Sequence, residues 1–230
     1  MTSKKNNNSG LLLIGGGGHA LSVYEALMDN IAQGGIVYKK IAALDIPEKV
    51  GASLLDIPIV GADGDLGRLR HEFDHAFISL GGAGGGKKRE RLYQLAAGHR
   101  YMIPNILHPK AHLSRSSTYG RGIFAGVGAF VNSGSEISDM CILNTGCIVE
   151  HECYVGAFTH IAPGAILCGG VHVGAGAHIG AGSVLIQNIK VGEGAIVGAG
   201  SVVVRDIPAG VVAFGNPCRI IRPVSIQEYY

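Results

Sequence analysis

The sequence predicts a small α/β domain followed by a parallel β-helix, and three observations predict it. Strand-like apolar runs alternate with helical patterns up to about Ile106, which implies a small parallel sheet. Beyond that point the helical signals stop, and residues Leu113 to Pro208 divide into sixteen consecutive hexads without an insertion. Fourteen of the sixteen lead positions are Val, Ile or Leu, and ten of the fourth positions are Gly. A period of six belongs to neither an α-helix nor an ordinary strand.

Each element follows in chain order. Residues 1–10 (MTSKKNNNSG) carry no hydrophobic period and are expected to be a flexible leader. Leu11–Ile14 reads as a buried strand, Gly15–Gly18 as a tight turn, and the segment from His19 as an amphipathic helix. Ile36–Leu44 is a second apolar segment ending at Asp45, Ile57–Val60 a short strand, and His75–Leu80 another buried one. Gly81–Gly86 is a loop and Lys87–Ala97 a helix. The expected boundaries are 11–106 for the α/β domain, 107–208 for the β-helix and 209–230 for a C-terminal tail. Within the hexads the lead aliphatic residue points inward, and glycine turns the corner where φ > 0 is needed. Three hexads make one triangular coil, so residues eighteen apart stack at about 4.8 Å, the strand spacing of any sheet. Cys141, Cys147 and Cys153 take the fifth place of consecutive hexads. They therefore point from three different faces and are expected as small buried fillers, not a disulfide framework.

Composition narrows the function. With 47% apolar and 16% charged residues the chain can bury a sizeable core. Nineteen basic against seventeen acidic side chains give a net charge of +2, far from the basic stripe that grips nucleic acid. The longest apolar runs stop at glycine well short of the ~20 residues of a membrane span, so a cytoplasmic protein is expected. Aromatic residues make up only 6% and Trp is absent, which leaves ligand recognition to polar groups.

The turn Gly15-Gly16-Gly17-Gly18-His19-Ala20 fits G-x-G-x-x-A, with Asp45 as the acidic residue after the second strand. Backbone amides at a helix N-terminus suit a phosphate, and a carboxylate suits a ribose or base. Fewer than about 100 residues precede the repeat, too few for two mononucleotide halves. A Rossmann-like unit holding one nucleotide is therefore expected in place of an NAD site. In the repeat, His151 takes the third position of VEHECY, where outward-facing polar residues are expected. An imidazole titrates near pH 6.5 and can take a proton from an attacking amine or hydroxyl.

The segment ILNTGCIVEHECYVGAFTHIAPGA at 142–165, the GGGGH turn and GNPCRIIRP at 215–223 carry a closer likeness. Together they resemble the hexapeptide-repeat sugar acetyltransferases, the family of the UDP-4-amino-sugar N-acetyltransferases and the sialic acid O-acetyltransferases. The resemblance implies a left-handed parallel β-helix of hexapeptide repeats, a homotrimer, and acetyl-CoA as co-substrate in grooves between subunits, with no metal. It implies a general base at His151, supported by Glu152, with Asn144 near the acceptor. Glu150 is the competing orienter of His151. The resemblance further implies acetyl-CoA contacts at His160, Ala181 and Ala199, the two alanines through their backbone. The nucleotide part of the sugar is expected at Gly17, Gly18, His19, Asp45 and Gly81. The chain departs from the family at Gly17, where a small polar residue is common, at Ile46, where a second acid can stand, and in the glycine-rich loop after Gly81. These departures bear on which base is recognised.

The reaction expected is N-acetylation of a nucleotide-linked 4-amino-4,6-dideoxy sugar in glycan biosynthesis. O-acetylation of sialic acid is the nearest alternative. A metalloenzyme of the γ-carbonic anhydrase type, using His151, His160 and His178, and a non-catalytic nucleotide-sugar-binding module are the alternatives from other classes.

Overall fold

The computed structural model describes residues 6–84 and 86–225. The chain forms two compact units, one of residues 1–81 and 89–109, the other of residues 82–88 and 110–230.

The first unit is built on a five-stranded sheet. Strand β1 (Asn6–Ile14) leads into helix α1 (Gly18–Ala32), then β2 (Val37–Leu44), β3 (Ser53–Leu54), β4 (Ile57–Gly61), the short α2 (Leu66–Leu69) and β5 (His75–Ile78). The order across the sheet is β3-β4-β2-β1-β5, with β1 parallel to both β2 and β5 and only the β3–β4 pair antiparallel. Leu11, Leu12, Leu13 and Ile14 are all 0% exposed, the continuous apolar run of a strand covered on both faces. β1 begins at Asn6, inside the stretch expected as a leader. Its first pairs are Asn6 with Val37 and Asn7 with Tyr38, a backbone ladder that needs no hydrophobic period to form. Residues 1–5 of that leader lie outside the described residues. Helix α3 (Gly86–Gly98) matches the predicted helix to within a residue at each end.

The second unit is a left-handed parallel β-helix. Each hexad contributes a two-residue strand, and the strands stack in three sheets. Phe130, Ile148, Ile166, Val184 and Val202 form one ladder, each partner eighteen residues from the next. The lead residues Val131, Val149, Leu167, Leu185 and Val203 are 0% exposed. Burial of a side chain this size contributes about 1.5–3 kcal/mol, repeated at every coil. From the second hexad to the fifteenth the fourth positions are left-handed. Glycine occupies ten of them, and Met140, Glu152, Phe158 and Asn188 hold φ of 61, 58, 58 and 62°. Cys141, Cys147 and Cys153 are buried and form no disulfide, and burial pushes the thiol of Cys147 up to about 12 and that of Cys153 to about 11. These are inert fillers.

The period breaks in the last hexad, VVRDIP. Up to Leu185 and Val203 the partners are eighteen apart, but Val191 then meets Ile207 and Ile196 meets Val212. That hexad lacks the glycine corner; Asp206 stands there, and its Oδ1 accepts the backbone N–H of Lys190 at 2.8 Å. Beyond it, the segment expected as a tail carries strands Val211–Phe214 and Arg219–Pro223, paired antiparallel, with a cis Asn216–Pro217 bond between them.

Candidate active site

The strand order of the first unit reverses at β1: the chain moves outward through β2 to β4 and returns to β5 on the far side. In open α/β sheets ligands bind at the carboxyl ends of the strands flanking such a reversal. Here those ends carry Gly15–Gly18 after β1 and Ser79–Gly81 after β5. The four glycines have different reasons to be there. Gly15 has φ +109°, and a Cβ on it would stand 2.5 Å from Leu80 Cδ2. A Cβ on Gly16 would stand 2.6 Å from Asp45 Oδ2. At Gly17 and Gly18 a Cβ would meet nothing within 4 Å, so the fold leaves that space open. Gly17 is the N-cap of α1 and offers no side-chain cap to the first-turn amides, which is the condition for an anion site.

Asp45 lies against this turn. Its Oδ1 accepts the Ile46 N–H at 2.8 Å, and its Oδ2 pairs with Lys49 Nζ at 2.8 Å. Gly81 closes the turn from the other side, where a Cβ would meet His19 Cβ at 3.1 Å. His19 is neutral at physiological pH: burial, and then the charge of nearby Arg89, lower its pKa from 6.5 to about 4. The structure thus brings Gly16, Asp45, His19 and Gly81 to one turn. It adds two residues that sequence reasoning missed. Ser79, 0% exposed, donates its hydroxyl to the Gly15 carbonyl at 2.6 Å. Arg89, 2% exposed, is a buried charge on α3. A single serine at a strand end and an arginine in a basic helix give no periodic signal.

In the β-helix, His151 Nδ1 and Glu152 Oε2 are 3.1 Å apart, both side chains largely exposed. A carboxylate only accepts, so this contact places the proton on Nδ1 and leaves Nε2 with its lone pair. Glu152 reaches the ring from a left-handed corner, φ 58°, where most hexads carry glycine. Glu150 is committed elsewhere: its Oε2 accepts from Asn132 Nδ2 at 2.7 Å and from the His151 backbone N–H at 3.3 Å. Of the two competing orienters, Glu152 is the one on the imidazole.

Asn144 stands with His160. Its Nδ2 is 3.2 Å from His160 Nε2, and its Oδ1 accepts the Thr145 N–H at 2.8 Å. The other nitrogen, His160 Nδ1, lies 3.4 Å from the Gly82 carbonyl. His160 also meets His178 edge to face, ring centroids 4.9 Å apart. The trio His151, His160 and His178 therefore falls into separate clusters, and among the described residues no group of three His, Cys, Asp or Glu could hold a metal ion. Ala181 and Ala199 are exposed and eighteen apart, stacked through the Gly200 N–H donated to the Ala181 carbonyl at 2.8 Å.

A scan against protein-family models finds no match. Solved structures are informative. The chain is 36% identical to a histidine-to-asparagine variant of perosamine N-acetyltransferase from Caulobacter crescentus, solved with CoA and GDP-perosamine. That match covers 92% of this chain and 96% of the other, with a TM-score of 0.83. The acetyltransferase domain of PglB from Neisseria gonorrhoeae, solved with acetyl coenzyme A, is 33% identical over 94% of this chain and all of the other, TM-score 0.84. WeeI from Acinetobacter baumannii shares the fold at 24% identity over 92% of this chain and 99% of the other, TM-score 0.78. With the repeat, the glycine turn and the histidine–glutamate pair in place, these likenesses make the chain a member of the hexapeptide-repeat sugar acetyltransferases and an acetyltransferase.

Proposed function

We propose that the protein transfers the acetyl group of acetyl-CoA to the amine of a nucleotide-linked 4-amino-4,6-dideoxy sugar. The observation that carries this reading is the His151–Glu152 pair, which leaves Nε2 as a proton acceptor on the outer surface of the β-helix. The perosamine N-acetyltransferase solved with CoA and GDP-perosamine supports the substrate class and favours an amine over a hydroxyl acceptor.

The sugar amine attacks the thioester carbonyl, and His151 Nε2 takes the proton released as the C–N bond forms. The tetrahedral oxyanion collapses, the C–S bond breaks, and the imidazolium returns its proton to the departing CoA thiolate. Glu152 holds the ring through Nδ1 and stabilises the imidazolium. Asn144 acts through His160, fixing the imidazole that contacts acetyl-CoA, and the exposed backbone at Ala181 and Ala199 carries the rest of the cofactor. The open amides at Gly17 and Gly18 take the diphosphate, while His19, Asp45 and Gly81 shape the nucleoside end. The assembly is a homotrimer with acetyl-CoA along the groove between neighbouring β-helices.

The test is CoA thiol release with GDP-, UDP- and dTDP-linked 4-amino sugars and free sialic acid as acceptors, with product mass measured. Release with one nucleotide amino sugar, and a product heavier by one acetyl group, is expected. Release with sialic acid alone would replace this reading with O-acetylation, and release with none would refute it.

A further inference from the structure

The coil above His151 carries a gap shaped to its ring. Residue 169 stands eighteen positions on, in the next coil, and the two coils are joined by the Gly170 N–H donated to the His151 carbonyl at 2.9 Å. A Cβ on Gly169 would lie 2.5 Å from both Cε1 and Nε2 of His151 and 3.1 Å from Nδ1. Three ring atoms within reach of one missing atom mean that the imidazole lies flat across the Gly169 backbone.

The backbone does not ask for this glycine. Gly169 is absent from the left-handed positions, which its neighbour Gly170 occupies with φ +71°. It takes the third place of the hexad LCGGVH, and among the sixteen hexads it is the one glycine in third place. Ala157, Ala175, Ala181 and Ala199 hold the same place in other hexads, so the coil accepts a Cβ there. What distinguishes residue 169 from those alanines is the ring stacked on it.

We infer that Gly169 is a positioning residue for the acetyl transfer: its missing side chain seats the His151 imidazole across the next coil with Nε2 held in one place. This rests on the catalytic reading of His151 given above. A methyl group at 169 pushes the ring outward, where His151 has solvent to turn into. The coil survives, but the Nδ1 contact with Glu152 and the aim of Nε2 are both lost. Displacing a reacting group by about 1 Å costs up to about a hundredfold in rate.

Three variants test the inference: Gly169→Ala, His151→Ala and the double variant, each checked for an unchanged unfolding midpoint. With isotope-labelled histidine, the Cε1–H signal of His151 is identified as the one missing from His151→Ala. Gly169→Ala should move that signal in the substrate-free protein, lower kcat between about tenfold and a hundredfold, and leave KM for acetyl-CoA within about twofold. It should cost nothing further in the His151→Ala background. An unmoved signal, or an equal loss in both backgrounds, overturns the inference. If His151→Ala itself turns over normally, the catalytic reading fails, and the Cε1–H signal alone decides whether Gly169 seats the ring.

Discussion

Gly15 and Gly18 stand three residues apart in one turn, yet side chains placed on them should fail in opposite ways. At Gly15 alanine meets two obstacles, a backbone at φ +109° and Leu80 Cδ2 at 2.5 Å. An unfavourable φ costs about 1–3 kcal/mol and overpacking a further 1–3 kcal/mol or so. A loss of about 3 kcal/mol corresponds to a fall of about 6–12 °C in the unfolding midpoint of a chain this size. Gly18 is the first residue of α1 and has open space where its Cβ would stand. Leucine there should leave the midpoint within about 2 °C. If the α1 amides hold the diphosphate, however, the new side chain displaces it and removes at least one charge-assisted hydrogen bond of about 1.5–3 kcal/mol. A loss of that size predicts a rise of about ten- to a hundredfold in KM for the nucleotide sugar, with KM for acetyl-CoA unchanged. Calorimetry and steady-state kinetics on the two variants check both halves. A Gly18→Leu protein that binds the nucleotide sugar normally would refute the placement of the diphosphate at α1.

His19 takes up a proton near pH 6.5 when unfolded but only near 4 when folded, so protonation favours the unfolded chain between those values. Its contribution, about 3 kcal/mol, is fully present above the unfolded value and is lost as pH falls towards the folded one. Wild type should therefore lose about 3 kcal/mol of stability relative to His19→Gln on acidification across that window, read from denaturant curves, and a constant difference would contradict it. Glu152→Gln should lower kcat by up to about fivefold, the range of an exposed pair, whereas Glu150→Gln, whose carboxylate faces Asn132, should stay near wild type. The opposite ranking in the same assay would reverse the choice of orienter. His160→Ala should raise KM for acetyl-CoA more than it lowers kcat, because its imidazole is held by Asn144 and the Gly82 carbonyl, apart from the Glu152 contact on His151; a pure kcat loss would contradict that.

The β-helix is legible in the sequence because its physics repeats. One inward aliphatic and one left-handed corner per six residues leave a mark that recurs from the second hexad to the fifteenth. The mark fails where the physics changes, at VVRDIP, where Asp206 replaces the corner glycine and the pairing shortens. The left-handed corners at Met140, Glu152, Phe158 and Asn188 can be assigned only from their place in the period, since their residue types do not favour that conformation, Asn excepted. In the first unit the long apolar strands are readable. β3 and α2 are not, because two- and four-residue elements carry no period. At the site, His151 and Glu152 are adjacent in sequence and so easily paired. Asn144 and His160 are sixteen apart, and the contact between them needs the coil geometry. Gly169 stands out in the aligned hexads as the one third-place glycine, but its meaning depends on knowing which side chain lies across it. Arg89 acquires meaning only from its burial beside His19.

The proposed reaction turns on His151 Nε2 accepting the proton of the attacking amine. The most direct test is the single-turnover rate of CoA release by His151→Ala, with acetyl-CoA affinity and oligomeric state measured on the same sample. General-base catalysis predicts a fall of about a hundred- to ten-thousandfold with affinity and assembly unchanged. A His151→Ala protein that releases CoA at the wild-type rate would contradict it.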